Sequence, residues 1–416
     1  MTGAKWQWLL TQMTRKLGFR TSLYALLAVA TALTSIGLDI IITLPAAVTV
    51  SDELLDNILN ILATSMLAVT TFSLNIMVSA YSAASAGVSP RATKLLMEDS
   101  TTQNALATFI GSFLFSLVGI IALGIGAYSE QSRIYLFIVT MFVVVMIVIT
   151  LLRWVHHLSV FGRVSETTST VEKALLNAIK KRGKEPWMGA HPWSHTEHTP
   201  RGSVLLCSKE IGYLQHIDMR HLHDLAEESQ CTIYIHRLPG DFVYAGQPLA
   251  WVCGNTPEED LTSAFTIRTE RTFDQDPRFG LVVLAEIASK ALSPAVNDNG
   301  TAIDVIGRSV RALSLWGELL NQPPRKVCYP RLYVRSLNRQ DLFEDAFLPI
   351  AHDGVGQIQV QVRLQKALLA LASIHPKLFT QPALKLSTKA LELAYTQPYT
   401  DDEKQILSQL AHQIGR

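Results

Sequence analysis

The stretch from Asn57 to Pro90 contains no Lys, Arg, Asp or Glu. Its first two-thirds are long enough to cross a bilayer as a helix, which takes roughly 20 apolar residues. It is not plain hydrocarbon, however. Asn57, Asn60, Thr64, Thr71, Asn75, Ser79 and Ser82 recur at helical spacing. At about 100° per residue they share an arc of roughly 100° on one side of a helix. Ile58, Leu62, Met66, Val69, Ile76 and Met77 take the other side. A helix bathed in lipid gains nothing from such a stripe, so the stripe faces water or the polar groups of neighbouring helices.

Three more apolar runs accompany it. Thr21–Thr43 begins too late and runs too long for a cleaved leader, and reads as an anchor that stays. Asp39 lies near its far end, where reaching out to headgroup water and a place on a polar path are both open. The run to about Tyr128 carries Ser112, Ser116, Gly119, Ala122 and Gly126 on one face, which predicts close helix packing. Ser100-Thr101-Thr102-Gln103 has the capping-box pattern and should start that helix. Ile134–Leu152 has only scattered polar residues, as expected of a helix facing lipid. Between the second and third runs, Ser89-Pro90 reads as the opening of a short helix carrying Arg91, Lys94 and Glu98.

Lys and Arg cluster in the amino-terminal tail, in the loop from Ala83 to Gln103, and from Arg153 onward. The other two loops hold only Arg133. This asymmetry predicts four spans with both termini cytoplasmic.

After the spans the pattern changes. Ser165–Lys181 reads as a helix with a basic end, Lys180-Lys181-Arg182, and Gly183–Arg201 as a polar linker. Short strands follow at Ser203–Cys207, Gly212–His216, Thr232–Arg237 and Leu249–Val252, with Asp218 capping a helix over Met219–Glu228. Arg278–Leu292 and a segment from Thr301 to about Leu320 are apolar at helical spacing. Val327–Ser336 reads as a strand, and from Gln340 onward the chain is mostly helical. The expected fold class is a membrane α-helical domain of four transmembrane helices followed by an α+β cytosolic domain. Its boundaries are a tail at 1–20, spans within 21–153, a juxtamembrane helix and linker at 154–201, an α/β domain at 202–338 and a helical region at 339–416.

The net charge of +1 gives no reason to expect nucleic acid as a partner. The four cysteines form no C-x-x-C pair and all lie after the last span, which suits free thiols in a reducing compartment.

Several motifs taken in order resemble one family. They are Ser89-Pro90-Arg91, the run Thr108–Phe113, Gly240-Asp241-Phe242-Val243 with Gly246, Glu270-Arg271-Thr272, Gln275-Asp276, Phe279-Gly280, and Ala291–Asp298. Together they are similar to the bacterial predicted membrane proteins labelled domain of unknown function 2254, over nearly the whole chain. The resemblance implies a bacterial inner-membrane protein with a cytosolic domain and no established activity. One departure is Asn299, where the family pattern would have Pro, leaving the loop after Asp298 less rigid. Pro239–Leu249 also resembles a hairpin of biotinyl-type barrels. No Lys lies between Lys209 and Lys290 to accept a cofactor, so the hairpin is structural and no cofactor is expected.

No nucleophile elbow, phosphate loop or zinc-hydrolase helix is present, so no catalytic residue and no enzyme activity is expected. His191, His195 and His198 with Glu197 have metal-ligand character only on a helix, which Pro192 opposes, so no metal site is assigned. Asp274, Asp276, Asn297 and Asp298, with Glu270, lie in or near two loops flanking one helix and are candidate ligand or regulatory residues. The alternative is that Asp276 and Asp298 simply cap the helices after them.

Two functions remain. One is a homo-oligomeric, channel-like protein in which Asn57, Asn60, Thr64, Thr71, Asn75, Ser79 and Asp39 line a pore or a helix interface. The other is a membrane-anchored ligand-binding or sensory protein without transport, its polar side chains buried against the first or third span. The lipid bilayer, further copies of the chain and a small ion or ligand are the expected partners.

Overall fold

A computed structural model describes residues 14, 17–37, 50–193, 202–254, 258–323 and 326–414. The chain divides into two units. The first contains Gln7–Ala86 and Thr93–Thr167; the second contains Gly87–Ala92 and Thr168–Arg416.

The first unit is built on α1 (Leu17–Gly37), α2 (Asp52–Gly87), α4 (Ser100–Gly124) and α5 (Glu130–Val160), with most of the short α3 (Pro90–Met97). Three of these, α2, α4 and α5, are long and apolar enough to cross a membrane among the described residues. The first expected span is described only as α1; Asp39 and the rest of that span lie outside the described residues.

Small residues on α4 explain its packing. A Cβ on Gly111 would lie 3.4 Å from the Tyr24 carbonyl oxygen of α1, and one on Gly119 would lie 3.0 Å from Leu59 Cδ1 of α2. Ser112, Ser116 and Ala122 are buried with Gly119, so this face is consumed inside the chain. Gly126 is not part of it: it sits exposed at φ +68°, in the turn after the helix. The cap also differs from expectation. Asp99, not Ser100, accepts from Thr102 N (2.7 Å), and Gln103 Nε2 donates to Met97 O instead of closing a capping box. The Asp99 carboxylate outcompetes the serine hydroxyl because it also binds Thr102 Oγ1 and lies 3.1 Å from His157 Nε2. Its burial favours the neutral acid, but the bonds from His157 and Thr102 outweigh that and hold the carboxyl below its usual range. Helix α5 runs on past the expected span end at Leu152, carrying Trp154 and His157, and Trp154 Nε1 donates to Ser73 Oγ of α2 (2.9 Å).

The second unit begins with most of α6 (Val164–Lys184) and contains two sheets. Its elements are β1 (Ala190–Trp193), β2 (Val204–Cys207), β3 (Gly212–Ile217), α7 (Met219–Glu228), β4 (Thr232–Ile235), β5 (Phe242–Val243), β6 (Pro248–Cys253), α8 (Glu258–Thr262) and β7 (Phe265–Arg268). Then come α9 (Pro277–Ala291), α10 (Asn299–Leu320), β8 (Tyr329–Arg335), α11 (Arg339–Asp353), α12 (Ile358–Ile374), α13 (Pro376–Tyr395) and α14 (Asp401–Gln413). The larger sheet has the order β1-β8-β4-β6-β2, with β8 parallel to both neighbours and the remaining pairs antiparallel. The smaller is an antiparallel β5-β3-β7. Strand β4 alternates half-buried and buried residues, as a sheet with one packed face requires.

Residues 190–193, read as linker, instead form the edge strand β1, and Trp193 is buried against the rings of Tyr234 and Trp251. Helix α9 packs on both α10 and α11, and α12 on α10 and α13. Phe343, Phe347 and Phe379 fill that helical core.

Candidate functional site

Helix α2 turns one face to its own chain. Leu55, Leu59, Leu62, Met66, Thr70, Ser73 and Met77 are buried. The polar set is on the opposite side. Asn57, Asn60, Thr64, Thr71, Asn75, Ser79 and Ser82 are all exposed, centred roughly 180° from the buried row by the helical period. Thr71 Oγ1 satisfies itself on Leu67 O (3.0 Å), and Asn60 Nδ2 donates to Asp56 Oδ2 (3.0 Å). Among the described residues none of the seven is buried against another helix. Ile61, Phe72 and Val78 flank the arc as exposed apolar residues. At the end of α2 nearest Asp52, Arg133 pairs with that carboxylate (2.7 Å).

In the second unit Asp276 and Asp298, two of the candidate acidic residues, do not come together. Asp276 caps the start of α9, its Oδ1 accepting from Phe279 N (3.2 Å). Asp298 lies beyond the other end of that helix and caps α10 through Thr301 N (3.0 Å) and Thr301 Oγ1 (2.6 Å). The 15 residues of α9 rise roughly 22 Å at 1.5 Å each, too far for the two carboxylates to share one ion. The hydrogen bonds from Thr301 hold the Asp298 carboxyl below its usual range. Asn297 stands at φ +50°, a conformation that asparagine tolerates, and its Oδ1 accepts from Gln357 (3.2 Å). Asn299 occupies the first position of α10, where Pro would also fit. Its amide donates to Gln357 Oε1 (2.9 Å), a tether that a proline ring would not make.

Asp276 is the centre of a different arrangement. Arg271 reaches its Oδ2 through Nη2 (2.7 Å) and Nε (2.9 Å). Gln275 Oε1 accepts from Ile217 N (3.1 Å) at the end of β3. The Pro239-Gly240-Asp241 turn folds directly over the carboxylate: a Cβ on Gly240, at φ +100°, would lie 2.3 Å from Asp276 Oδ2. Asp241 in the same turn accepts from Arg335 Nη2 (3.0 Å). The Arg271, Gln275-Asp276 and Gly240 motifs therefore meet around one buried carboxylate, that of Asp276. Likewise, in the second unit Ser89 Oγ donates to Glu286 Oε2 of α9 (2.8 Å), and Arg91 pairs with the same carboxylate. Apart from Arg271 with Asp276, these pairings join residues far apart in the sequence. Among the described residues no group of three His, Cys, Asp or Glu is placed to hold a metal ion. His191 stacks on Tyr333 at 5.0 Å, while His195 and His198 lie outside the described residues.

Comparison with known proteins agrees with the apolar helices. An uncharacterized protein of Mycobacterium bovis and one of Mycobacterium tuberculosis are each 29% identical over 236 residues, which is 54% of this chain and 45% of each relative. The chain thus spans less than half the length of the curated relatives it matches. No solved structure matches. Residues 14–370 match the predicted membrane proteins of the family called domain of unknown function 2254, and the chain belongs to that family.

Proposed function

We propose that this protein is a homo-oligomeric, channel-like membrane protein in which copies of α2 present their polar arcs to a shared water-filled path. The supporting observation is the placement of that arc, exposed and opposite the packed face. In hydrocarbon an unsolvated amide costs several kcal/mol, roughly 4–8 by transfer to alkane. A second copy or a column of water removes that cost. Amides and hydroxyls repeated at each turn offer ligands to a permeating ion, and without a ring of carboxylates they discriminate charge weakly. Asp52, Glu53 and Asp56 at one end bias entry toward cations.

Cysteine substitution tests this directly. Cys207, Cys231, Cys253 and Cys328 are free thiols and are first replaced. Cysteines at Thr64, Thr71, Asn75 and Ser79 are expected to react with a water-soluble thiol reagent in membranes, while those at Phe72 and Leu74 stay protected. Uniform protection at Thr64, Thr71 and Asn75 would favour the anchored sensory reading, in which nothing is transported.

The same proposal places four spans in a bacterial inner membrane with both ends in the cytoplasm, from the Lys and Arg asymmetry. Reporter fusions after Ser51 and Tyr128 should then be periplasmic, and fusions after Ser89 and Arg163 cytoplasmic. A cytoplasmic signal at Ser51 would sink this topology.

A further inference from the structure

The second unit contains a cavity of about 220 Å³ between the end of α6, the start of α7 and Tyr329. A charge without a counterion lines it. Arg182 is 5% exposed, and its Nε, Nη1 and Nη2 are buried with no hydrogen-bond partner. The neighbouring ion pairs show why. Arg271 takes Asp276 and Arg335 takes Asp241, and neither Glu185 nor Asp274 on the cavity wall is hydrogen-bonded to the third guanidinium. Burial, opposed by Asp276 and reinforced by Arg335, pushes Arg182 down to about 10, which still leaves it charged at neutral pH. A buried, unpaired charge is strongly disfavoured, and one that lines a cavity is a candidate for a ligand site.

The rest of the lining fits an anion with several acceptor oxygens. Asp218, Met219 and Arg220 open α7 at the cavity wall, so its first-turn N–H groups and the positive end of its dipole lie there. Asp218 is itself committed as the cap, accepting from His221 N (3.0 Å). Lys181 and Arg220 stand exposed at the rim; Glu185 and Asp274 add acceptors on the wall. A carboxylate would be satisfied by the Arg182 fork alone. The further donors at Lys181, Arg220 and the start of α7, set against the wall carboxylates Glu185, Asp218 and Asp274, suit a tetrahedral oxyanion, and Met188, Met219 and Tyr329 give an attached organic group an apolar surface.

We propose that this cavity binds a phosphate group, with Arg182 as its buried anchor and Lys181 and Arg220 at its entrance. The site stands on the second unit alone, whatever α2 does in the membrane. Free orthophosphate and a small phosphate monoester share this chemistry, and the test separates them. Full-length protein in detergent is titrated calorimetrically with orthophosphate and with glycerol 3-phosphate at matched ionic strength. Saturable binding of one phosphate per chain is expected, tighter for the ester if the apolar wall is used and tighter for orthophosphate if it is not. Arg182→Met should weaken it roughly 10–100-fold, the loss of one or two charge-assisted bonds. Because that change removes an unpaired buried charge, it should not lower the unfolding midpoint of the ligand-free protein. Lys181→Glu, at the exposed rim, keeps the fold and should weaken binding severalfold. No binding by the unmodified protein, or binding unchanged in both variants, overturns the proposal. So does a lower midpoint for Arg182→Met together with unchanged binding in Lys181→Glu, which would make Arg182 structural.

Discussion

Replacing Arg271 by Met is expected to destabilise the second unit by about 3–5 kcal/mol, the usual result of stripping a buried carboxylate of its partner. Asp276 is 2% exposed in its side chain, and Arg271 supplies both charge-assisted hydrogen bonds to its Oδ2. Arg271 also lies over the Phe279 ring, 5.1 Å from its centroid, so the substitution loses packing as well as charge. The effect should depend on pH with a definite sign. Burial raises the Asp276 carboxyl above its usual value even with Arg271 beside it. Its contribution is then fully present below the unfolded carboxyl value of about 3.9 and is lost as pH rises through the folded value. Without Arg271 the folded value climbs further, and the gap between variant and parent should narrow from about pH 7 to about pH 5. Urea unfolding followed by tryptophan fluorescence at both pH values measures this. Adding Asp276→Asn keeps an acceptor for Phe279 N and removes the charge, and should recover most of the loss. A pH-independent cost under about 1 kcal/mol would show the pair to be dispensable.

Gly240→Ala is the second large effect, expected at about 2–6 kcal/mol from two sources. The φ of +100° is strained for any L side chain, at about 1–3 kcal/mol. The new methyl would also meet the Asp276 carboxylate, 2.3 Å from Oδ2 and 2.5 Å from Cγ. That carboxylate is held by Arg271 and by the α9 cap and has little room to yield, so overpacking adds about 1–3 kcal/mol. Gly246→Ala provides the control. It has φ +82° but open space around it, so it should cost only about 1 kcal/mol. Equal losses at the two glycines in the same unfolding experiment would remove the steric part of this account.

Local signals in this chain were readable wherever donor and acceptor lie three or four residues apart. Asp218, Asp276 and Asp298 cap helices that start where their spacing says they should. The short strands of the second unit were readable from their apolar runs and bounding turns, although their hydrogen bonds are made between distant segments. Strand β1 was not readable. Its four residues, Ala190–Trp193, carry no alternation of their own and become a strand only by pairing with β8, far along the chain. Arg182 misled in the opposite sense. It ends a Lys-Lys-Arg run that looks like a solvated helix end, and its burial arises from residues brought in by β3, α7 and β8. The pairing of Arg271 with Asp276 lies within five residues, yet that the pair is buried depends on Gly240 folding over it.

Helix α2 divides the two contributions most plainly. Its length, its lack of charge and the existence of a polar arc are properties of the sequence, because a 3.6-residue period sets which side chains share a face. Which face meets the rest of the chain is not. Periodicity fixes faces relative to one another, never relative to neighbours. Of the apolar set read from spacing, Leu62, Met66 and Met77 are buried, whereas Ile58, Val69 and Ile76 are only half-buried. The buried row was decided by complementary shapes: Leu59 against the notch at Gly119, and Ser73 against the indole of Trp154. With that face taken, the amides and hydroxyls of the arc stand exposed among the described residues, two of them bonded only within their own helix.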